Sequence, residues 1–422
     1  MIEIKPKKIG KCAITVPGSK SYTHRVLVAA ALADGVSTIE NGLVSDDTLL
    51  TLNALKQMGA QIEIQPGRFV VYGTGGCLKS CRMPLFLGNS GTSMRLITAL
   101  AAIGRGEYVL SGTKRMHERP LQDLLDGLHQ IDVSAISVDQ NGCPPVKISG
   151  APVAGGKINL NCSISSQYLS ALLLIAPYTR HGLEINITSG PVSKPYIDMT
   201  VDVMAQMGIE IQRNGYRLFS IKGGQIFRAG RYAVEPDFSQ AGYFWAAAAI
   251  TGASVTVRGI RADSKQGDIR FLELLGKMGC SVIRKKDGIE VIGAPILTGI
   301  DVDMGDMPDM VPTLAMVAAF AKGTTQIRNV AHLRVKESDR IGAVINELEK
   351  MGIKTLCRDD GMVIHGGAPR GAKIETYEDH RIAMSFALAG LKIPGVFICN
   401  ERCVEKSFPE FWHIFSRMGT DK

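Results

Sequence analysis

Long apolar runs are missing from the sequence. The longest, WAAAAI and SALLLIAP, fall well short of the roughly 18 residues that a membrane-spanning helix needs. The opening segment, MIEIKPKKIGKCAITVPGSK, has basic residues without the apolar stretch that follows them in a signal peptide. We therefore expect neither secretion nor membrane association, and a cytoplasmic location.

Paired metal-ligand motifs are missing as well. The nine cysteines are scattered, and neither C-x-x-C nor H-E-x-x-H occurs, although Cys77/Cys81 and Cys399/Cys403 share one spacing. Zinc sites are usually built from such closely spaced pairs. We expect reduced thiols, no metal site and no cofactor.

Aromatic residues are scarce, at 6% of the sequence, which leaves few platforms on which nucleic-acid bases could stack. The formal charge is +8, but the lysines and arginines are dispersed rather than gathered in runs. This pattern argues against nucleic acid as a partner and suits small anionic ligands. A non-catalytic repeat scaffold or RNA-binding protein that uses the +8 charge is the alternative from another class.

What the sequence does contain is an internal repeat. Five predicted helices close on a Met-Gly pair, at Met58-Gly59, Met207-Gly208, Met278-Gly279, Met351-Gly352 and Met418-Gly419. Consecutive pairs lie about 70 residues apart, except for one interval of about twice that length, where the degenerate copy AAIGRGEYVLSG to RPLQDLLDGLHQ fits. Six α/β units result, three for each of the two domains expected from 422 residues.

The pattern inside one repeat predicts its elements. A helix is indicated by apolar residues at helical spacing: Ile341, Val344, Ile345, Leu348 and Met351. Ser338 or Asp339 is placed to cap its start, and Gly352 to end it. Segments such as SVTVRGI alternate as half-buried strands do. The residues that break these patterns precede helices, where free N–H groups and the helix dipole favour anions.

Polar motifs fill those positions along the whole chain. The N-terminal half offers Lys20, Ser21 and Arg25 in VPGSKSYTHR, Gly91 in LFLGNSGTSMRL, Arg119 in ERPLQDLL, and Ser165, Ser166 and Gln167 in SISSQYLSALLL. The C-terminal half offers Asp309 in MPDMVPTLA, Lys336, Glu337 and Arg340 in HLRVKESDRI, His380 and Arg381 in EDHRIAMSFALAG, and Lys406 in VEKSFPEF. Cations and neutral donors of this kind are suited to phosphate and carboxylate groups.

The ordered set of motifs resembles the 5-enolpyruvylshikimate-3-phosphate (EPSP) synthases, the 3-phosphoshikimate 1-carboxyvinyltransferases of the enolpyruvyl transferase family, from about residue 7 to about residue 412. The resemblance implies an α/β protein of two domains, each of three βαβαββ-type units in an inside-out α/β barrel, with both substrates held between them. It implies a discontinuous domain of residues 1–17 and 235–422, which carries phosphoenolpyruvate-binding and catalytic residues. Residues 18–234 form the other domain, with most contacts to shikimate 3-phosphate.

The activity implied by the resemblance is transfer of the enolpyruvyl group of phosphoenolpyruvate to the 5-hydroxyl of shikimate 3-phosphate, with release of phosphate by addition and elimination. This step belongs to the shikimate pathway of aromatic amino-acid and chorismate biosynthesis. A metal-free, cofactor-free monomer is expected.

The resemblance also implies the residues of each site. Shikimate 3-phosphate would be bound by Lys20, Ser21, Arg25, Ser165, Ser166, Gln167, Ser193, Asp309, His332 and Lys336. Phosphoenolpyruvate would be bound by Lys20, Gly91, Arg119, Gln167, Arg340, Arg381 and Lys406. Asp309 would accept the hydroxyl proton, Glu337 would exchange a proton with C3, and Lys20 would stabilise the phosphate.

The chain departs from the usual family pattern at a few positions. His332 stands where many members have Asn, and Ser90, Ser93 and Leu96 stand where many have Ala, Ala and Pro. These changes bear on the response to glyphosate, the family's inhibitor at the phosphoenolpyruvate site. The related UDP-N-acetylglucosamine enolpyruvyl transferases use a cysteine in the loop SGTKRMHERP, which here has none.

Plainer roles are also open for single residues. Glu337 and Arg340 are spaced as a surface ion pair on a helix, and Asp309 could cap the helix that follows it. Arg119 could simply begin a helix, and His380 is expected to be a structural neighbour rather than a catalyst.

Overall fold

The computed structural model describes residues 1–419. Its α-helices are α1 Lys20–Leu32, α2 Asp46–Gln57, α3 Gly91–Ile103, α4 Gln122–His129, α5 Gln167–Ile175, α6 Pro195–Gln206, α7 Phe238–Thr251, α8 Phe271–Lys277, α9 Val311–Ala319, α10 Arg340–Lys350, α11 His380–Gly390 and α12 Phe411–Arg417. Short 3₁₀ helices lie between several of them.

The strands in the same range are short. They are β1 Ile2–Ile4, β2 Lys11–Ile14, β3 Val36–Glu40, β4 Gln61–Gln65, β5 Arg68–Tyr72, β6 Leu85–Phe86, β7 Gly106–Ser111, β8 Ser134–Ser137, β9 Val146–Gly150, β10 Gly156–Asn161, β11 Leu183–Ser189, β12 Gln212–Asn214, β13 Leu218–Ile221, β14 Arg231–Ala233, β15 Ser254–Arg258, β16 Ser281–Lys285, β17 Gly288–Ile292, β18 Asp301–Asp303, β19 Thr324–Arg328, β20 Lys354–Arg358, β21 Gly361–His365, β22 Lys373–Ile374 and β23 Val396–Ile398.

Contacts divide the chain into two compact units. Unit A is Gly18–Val234, and unit B is Met1–Pro17 with Glu235–Lys422, of which residues 420–422 lie outside the described part. Each unit has a hydrophobic core of its own and three separate sheets. The predicted α/β class is confirmed.

The repeated module in unit A is βαβαββ, as expected. One copy runs β6–α3–β7–α4–β8–β9 and the next β10–α5–β11–α6–β12–β13; in each, the first two strands pair in parallel and the last two form an antiparallel hairpin. The remaining copy, α1–β3–α2–β4–β5, receives its parallel strand from β14, which is about 190 residues further along the chain.

Unit B repeats the module, and here too one copy takes a strand from a distant part of the chain. The copy β18–α9–β19–α10–β20–β21 is continuous in sequence. The copy α7–β15–α8–β16–β17 takes its parallel strand from β2 near the start of the chain. The third sheet pairs β22 with β23 in parallel and adds β1 antiparallel to β23.

Helices lie inside and sheets lie outside in both units. Every residue of α1 except Ser21 is buried, as is every residue of α11 and all of α7 except Thr251. Helices that are apolar all round belong in a core, whereas strands such as β3 bury only alternate residues. Within residues 1–419 each sheet stays open, and none closes into a hydrogen-bonded barrel.

The Met-Gly repeat is a helix-ending device. Methionine is the C-cap of α2, α6, α8, α10 and α12, and the glycine that follows each has a positive φ, between 80° and 109°. Glycine adopts this left-handed conformation without a Cβ penalty. In the degenerate copy, Asp132 takes the glycine's place at φ 61°, and Val133 N donates to Leu128 O as Ala60 N donates to Leu55 O.

The predicted helix of the fifth repeat is confirmed as α10. Of the two candidate caps, Asp339 is the N-cap, and its carboxylate accepts a hydrogen bond from Gly342 N at 3.1 Å. Ser338 instead donates to the carboxylate of Asp379 at 2.9 Å. This serine therefore belongs to the cluster of charged residues described below.

Candidate functional site

Lys20 lies at the first position of α1 in unit A, directly behind the N-cap Ser19. Its Nζ is 2.9 Å from Oδ2 of Asp47, which is in the first turn of α2. Both side chains are largely buried. The ion pair therefore joins the starts of two helices and holds the ammonium group at a fixed place.

Arg25, one turn further along α1, is buried among neutral groups. Its Nε donates to Thr200 Oγ1 at 2.7 Å, and its Nη atoms donate to the carbonyl oxygens of Ser21 at 2.9 Å and Tyr196 at 3.0 Å, with Ser170 Oγ at 3.4 Å. Burial lowers the pKa of Arg25 to about 10, so the guanidinium stays charged at neutral pH without a carboxylate against it.

Gly91 begins α3, and the guanidinium of Arg119 packs against it. A Cβ at position 91 would lie only 2.3 Å from Arg119 Nη2, so the close approach requires glycine. Arg119 Nη1 donates to the carbonyl oxygen of Asn89 at 2.8 Å and to its Oδ1 at 3.0 Å. Arg119 does not begin a helix, because it ends a 3₁₀ helix and α4 starts at Gln122.

The three neutral donors Ser165, Ser166 and Gln167 stand at the start of α5. Ser166 is the N-cap, and the backbone N–H of Gln167 donates to Ser165 Oγ at 3.2 Å. The Gln167 side chain donates to Thr92 Oγ1 at 3.0 Å, which ties α5 to α3. Ser193 is buried just before α6, with a left-handed φ of 54°.

Contacts therefore bring the helix starts of unit A together. Ser93 Oγ of α3 donates to the Asp47 carbonyl oxygen at 3.3 Å, next to the pair with Lys20, while the contact of Gln167 with Thr92 adds α5. The positive ends of these helix dipoles meet here beside the cationic side chain of Lys20. The arrangement suits anions.

In unit B, Arg340 is the centre of a buried charge cluster. Its Nε and Nη2 donate to the two oxygens of Asp379 at 2.7 and 3.1 Å, its Nη1 to Asp309 at 2.8 Å, and its Nη2 also to Glu337 at 2.9 Å. The Arg340 side chain is only 2% exposed. A simple surface pair of Glu337 with Arg340 is thus the wrong reading.

Arg381 completes this cluster from the start of α11. Its Nη2 donates to Asp309 Oδ2 at 2.9 Å, and its Nη1 donates to the hydroxyl of Tyr243 at 3.1 Å. Asp379, the N-cap of α11, accepts a hydrogen bond from the backbone N–H of Arg381 at 2.9 Å. Each oxygen of Asp309 thus faces one arginine, and the helix α9 that follows Asp309 has no side-chain cap.

The charges of the cluster set the protonation states. Burial opposes ionisation of Asp309, but the cations Arg381, Arg340 and Lys336 outweigh it and hold the pKa of Asp309 well below its usual value. Burial and then the charge of Lys336 lower the pKa of His332 to about 3, so this imidazole is neutral near pH 7. The nearby carboxylates Asp379, Glu337 and Asp309 raise the pKa of Arg340 despite its burial.

The remaining predicted residues of unit B lie on or next to two short 3₁₀ helices, except His380, which lies on α11. His332 belongs to the segment Ala331–Val335, and Lys336 follows this segment directly. The charge of Lys336 helps to lower the pKa of both Asp309 and His332. Lys406 ends the 3₁₀ helix Glu401–Lys406, which packs against α11. His380 is buried at the first position of α11, beside its cap Asp379.

Three residues of these clusters were not predicted from the sequence. Asp47 and Asp379 each pair with a predicted cation, and Tyr243 supports Arg381. The available signal for both aspartates was their place at a helix start, in DDTLL and EDHRI, where the ordinary reading is a cap. Tyr243 lies in the apolar run of α7 and gave no signal.

Within residues 1–419, no group of three or more His, Cys, Asp or Glu side chains is placed to hold a metal ion. Across the same residues, none of the helices combines the length and the hydropathy required to span a bilayer.

Solved structures place this architecture in a known class. Two structures of EPSP synthase from Acinetobacter baumannii superpose with a TM-score of 0.82, at 31% and 30% sequence identity, and cover 99% of this chain and 98% of their own. The class is thus the two-unit α/β fold of that enzyme.

Sequence comparisons are more specific. The model of the protein family EPSP synthase (3-phosphoshikimate 1-carboxyvinyltransferase) matches residues 5–415. A 3-phosphoshikimate 1-carboxyvinyltransferase of Syntrophobacter fumaroxidans is 43% identical over 97% of both chains, and one of Trichormus variabilis is 44% identical over 96% of both. The chain belongs to the EPSP synthase family.

Proposed function

We propose that this chain transfers the enolpyruvyl group of phosphoenolpyruvate to the 5-hydroxyl of shikimate 3-phosphate and releases phosphate, a step of aromatic amino-acid biosynthesis. One observation carries the proposal: the Asp309 carboxylate is held between the buried arginines Arg340 and Arg381, in a chain whose relatives are named for this transfer. Two anionic substrates need such cations, and a hydroxyl nucleophile needs such a carboxylate.

Shikimate 3-phosphate is proposed to bind mainly to unit A. The phosphate would meet the cations and hydroxyls at the helix starts, since Arg25 has neutral hydrogen-bond partners and carries uncompensated charge. The proposed set is Lys20, Ser21, Arg25, Ser165, Ser166, Gln167 and Ser193 of unit A with Asp309, His332 and Lys336 of unit B. Neutral His332 could donate or accept a hydrogen bond to the ring hydroxyls, according to its tautomer.

Phosphoenolpyruvate is proposed to bind to Lys20, Gly91, Arg119, Gln167, Arg340, Arg381 and Lys406. Arginine suits a planar carboxylate because its N–H groups form two parallel bonds. The requirement for glycine at position 91 supports a role for Arg119, because the guanidinium lies against the bare backbone there. Several cations are needed, since the two ligands together bring many negative charges into one site.

The first chemical step is proposed to be addition. The 5-hydroxyl oxygen forms a bond to C2 of phosphoenolpyruvate while Asp309 accepts the hydroxyl proton. Glu337, in its protonated form, gives a proton to C3, so the double bond becomes a methyl group and a tetrahedral intermediate results.

The second step is elimination. The bond from C2 to the phosphate oxygen breaks, and Lys20 stabilises the phosphate and supplies a proton to the bridging oxygen. Glu337 takes a proton back from C3, which restores the double bond. The hydroxyl proton held by Asp309 balances the proton that leaves with phosphate, so no proton is gained or lost by the enzyme over one turnover.

The low pKa of Asp309 requires an explanation, because a strongly acidic carboxyl is a poor proton acceptor. Its pKa is held down by Arg381, Arg340 and Lys336, and the two arginines are proposed ligands of the phosphoenolpyruvate carboxylate. A bound carboxylate shares their positive charge and so raises the pKa of Asp309. We infer that the carboxylate becomes a useful base only when the enol donor is present.

The functional domains, the location and the partners of the chain are also proposals. The two compact units are proposed to be the functional domains, unit B supplying the catalytic carboxylates and unit A most contacts to shikimate 3-phosphate. The chain is proposed to act as a cytoplasmic monomer on small molecules alone, without nucleic acid, metal or cofactor. No disulfide forms among the nine cysteines, all of which lie within residues 1–419, and a reducing compartment suits this.

Phosphate release with different acceptors tests the proposal. We expect release from phosphoenolpyruvate only when shikimate 3-phosphate is added, and in the presence of a chelator. Release with UDP-N-acetylglucosamine instead would reassign the chain to the related transferases. Salt-dependent RNA binding with no release at all would favour a non-catalytic role.

A further inference from the structure

Glu347 is a fully buried carboxylate outside the proposed reaction. It lies on the inner face of α10, and its oxygens accept hydrogen bonds from Lys350 Nζ at 2.7 and 2.9 Å, the Tyr377 hydroxyl at 2.7 Å and the backbone N–H of Glu375 at 3.1 Å. A buried carboxylate is costly unless its oxygens are satisfied in this way. The sequence alone would read Glu347 and Lys350 as an ordinary surface pair.

Two of these partners belong to one unusual segment, residues 375–379. Tyr377 and Glu378 have φ values of 54° and 55°, so two consecutive residues other than glycine are left-handed. Such conformations are strained and persist only where the surroundings hold them. Bonds from Glu347 to Glu375 N–H and to the Tyr377 hydroxyl hold the segment from the side of α10.

The segment ends at Asp379, where the charge cluster of unit B begins. Asp379 N donates to Thr376 O at 2.8 Å, which closes the turn. The Asp379 carboxylate then receives both bonds from Arg340 and the backbone N–H of Arg381. A shift of the turn would move this carboxylate, and with it both arginines.

We propose that Glu347 and Tyr377 are positioning residues that fix the turn at residues 375–379, and so set Arg340 and Arg381 for the carboxylate of the enol donor. The inference rests on the proposed function and adds two residues that do not touch either ligand. Burial and then the bond to Glu347 raise the pKa of Tyr377 to about 12, so its hydroxyl keeps its proton and donates throughout the working pH range.

The test is steady-state kinetics of Tyr377→Phe, which removes one hydroxyl and leaves the ring. We expect KM for phosphoenolpyruvate to rise about fivefold or more while KM for shikimate 3-phosphate stays within about twofold, because small displacements of binding groups are costly. Tyr72→Phe is the matched control. Tyr72 is 38% exposed against 40% for Tyr377, and its hydroxyl also donates to a carboxylate, that of Glu63, in the β4–β5 hairpin.

The pattern of the constants decides the outcome. A selective rise in KM for phosphoenolpyruvate, absent in Tyr72→Phe, supports the inference. A fall in kcat alone, an equal rise in both KM values, or unchanged constants would overturn it, because a merely structural contact changes the amount of active enzyme rather than the affinity for one substrate.

A second variant covers the case in which Tyr377→Phe does not fold. Glu347→Gln keeps the size of the side chain but offers one acceptor oxygen in place of two. The Tyr377 hydroxyl and the Glu375 N–H donate to different oxygens of Glu347, so one of the two bonds that hold the turn is lost. The same selective rise is expected, and its absence overturns the inference. If the unaltered enzyme releases no phosphate with both substrates, the proposed function fails; if it turns over and neither variant changes KM for phosphoenolpyruvate, only the inference fails.

Discussion

Arg25 of unit A and Arg340 of unit B are the same side chain at the same degree of burial, 1% exposed each, yet their surroundings differ. Arg25 donates to hydroxyl and carbonyl oxygens, and its pKa is lowered to about 10. Arg340 contacts three carboxylates, and its pKa is raised. The charge of Arg25 is available to an anionic ligand, whereas that of Arg340 also holds and orients carboxylates.

The largest effect is expected at the carboxylates. Asp309→Asn keeps the shape of the side chain but cannot accept the hydroxyl proton, so kcat should fall about 10³-fold while both ligands still bind. Glu337→Gln should behave similarly. Phosphate release gives kcat, and calorimetric titration gives the two affinities. Near-normal turnover in either variant would remove that residue's proposed role.

Stability measurements test the difference between Arg25 and Arg340. Arg340→Met removes the cation that Asp309, Glu337 and Asp379 share, and only Asp309 keeps another arginine, Arg381. The free energy of unfolding should therefore fall by about 3 to 5 kcal/mol. Arg25→Met leaves only neutral groups unsatisfied, and a loss of about 1 to 2 kcal/mol is expected. Urea unfolding of both variants measures the difference. Equal losses of unfolding free energy in the two variants would contradict the view that Arg25 has neutral surroundings and Arg340 charged ones.

Ligand binding tests the role of Arg25 separately. Arg25→Met should weaken binding of shikimate 3-phosphate by about 30-fold, because a charge-assisted bond to phosphate is lost. The affinity for phosphoenolpyruvate should change much less. Titration of each ligand alone provides the measurement, and Thr98→Ala, which removes a buried hydroxyl within α3 that bonds its own helix, is a suitable control. Equal weakening of both ligands would argue against the assigned role.

The smallest expected effect concerns His332. Its pKa in the folded protein is about 3, below the ordinary 6.5, so the unfolded chain takes up the proton more readily. The resulting stabilisation is present above pH 6.5 and is lost as the pH falls toward 3. Between pH 7.5 and 5.5 the loss should be about 1.4 kcal/mol, and His332→Asn should lack this contribution. Urea unfolding of both proteins at both pH values measures this difference. An equal loss of unfolding free energy in the unaltered protein and in His332→Asn would contradict the buried, neutral imidazole.

Local chemistry made part of the fold predictable. The Met-Gly helix ends and the limits of α10 follow from neighbouring residues, since caps and apolar spacing act within a few turns. The pairing of β2 with β15 and of β14 with β3 does not, because about 240 and 190 residues separate the partners and no short pattern encodes which strands meet.

The residues of the candidate site were easier to predict from the sequence than the residues that they contact. The spacing of Glu337 and Arg340 predicts that they touch, and they do, but burial turned a weak surface pair into part of a charge cluster. Asp379 and Glu347 read as a helix cap and a solvated charge. Their roles depend on a turn and a helix that meet only in three dimensions.

The proposed division of work, in which cations hold the ligands and carboxylates move protons, is tested most directly by deuterium incorporation at C3. Turnover in D₂O by the unaltered enzyme should place deuterium in the methylene group of the product. Glu337→Gln should bind both ligands yet incorporate almost none, whereas Arg25→Met at saturating shikimate 3-phosphate should incorporate it normally. Incorporation by Glu337→Gln at the rate of the unaltered enzyme would contradict the proposed proton transfer.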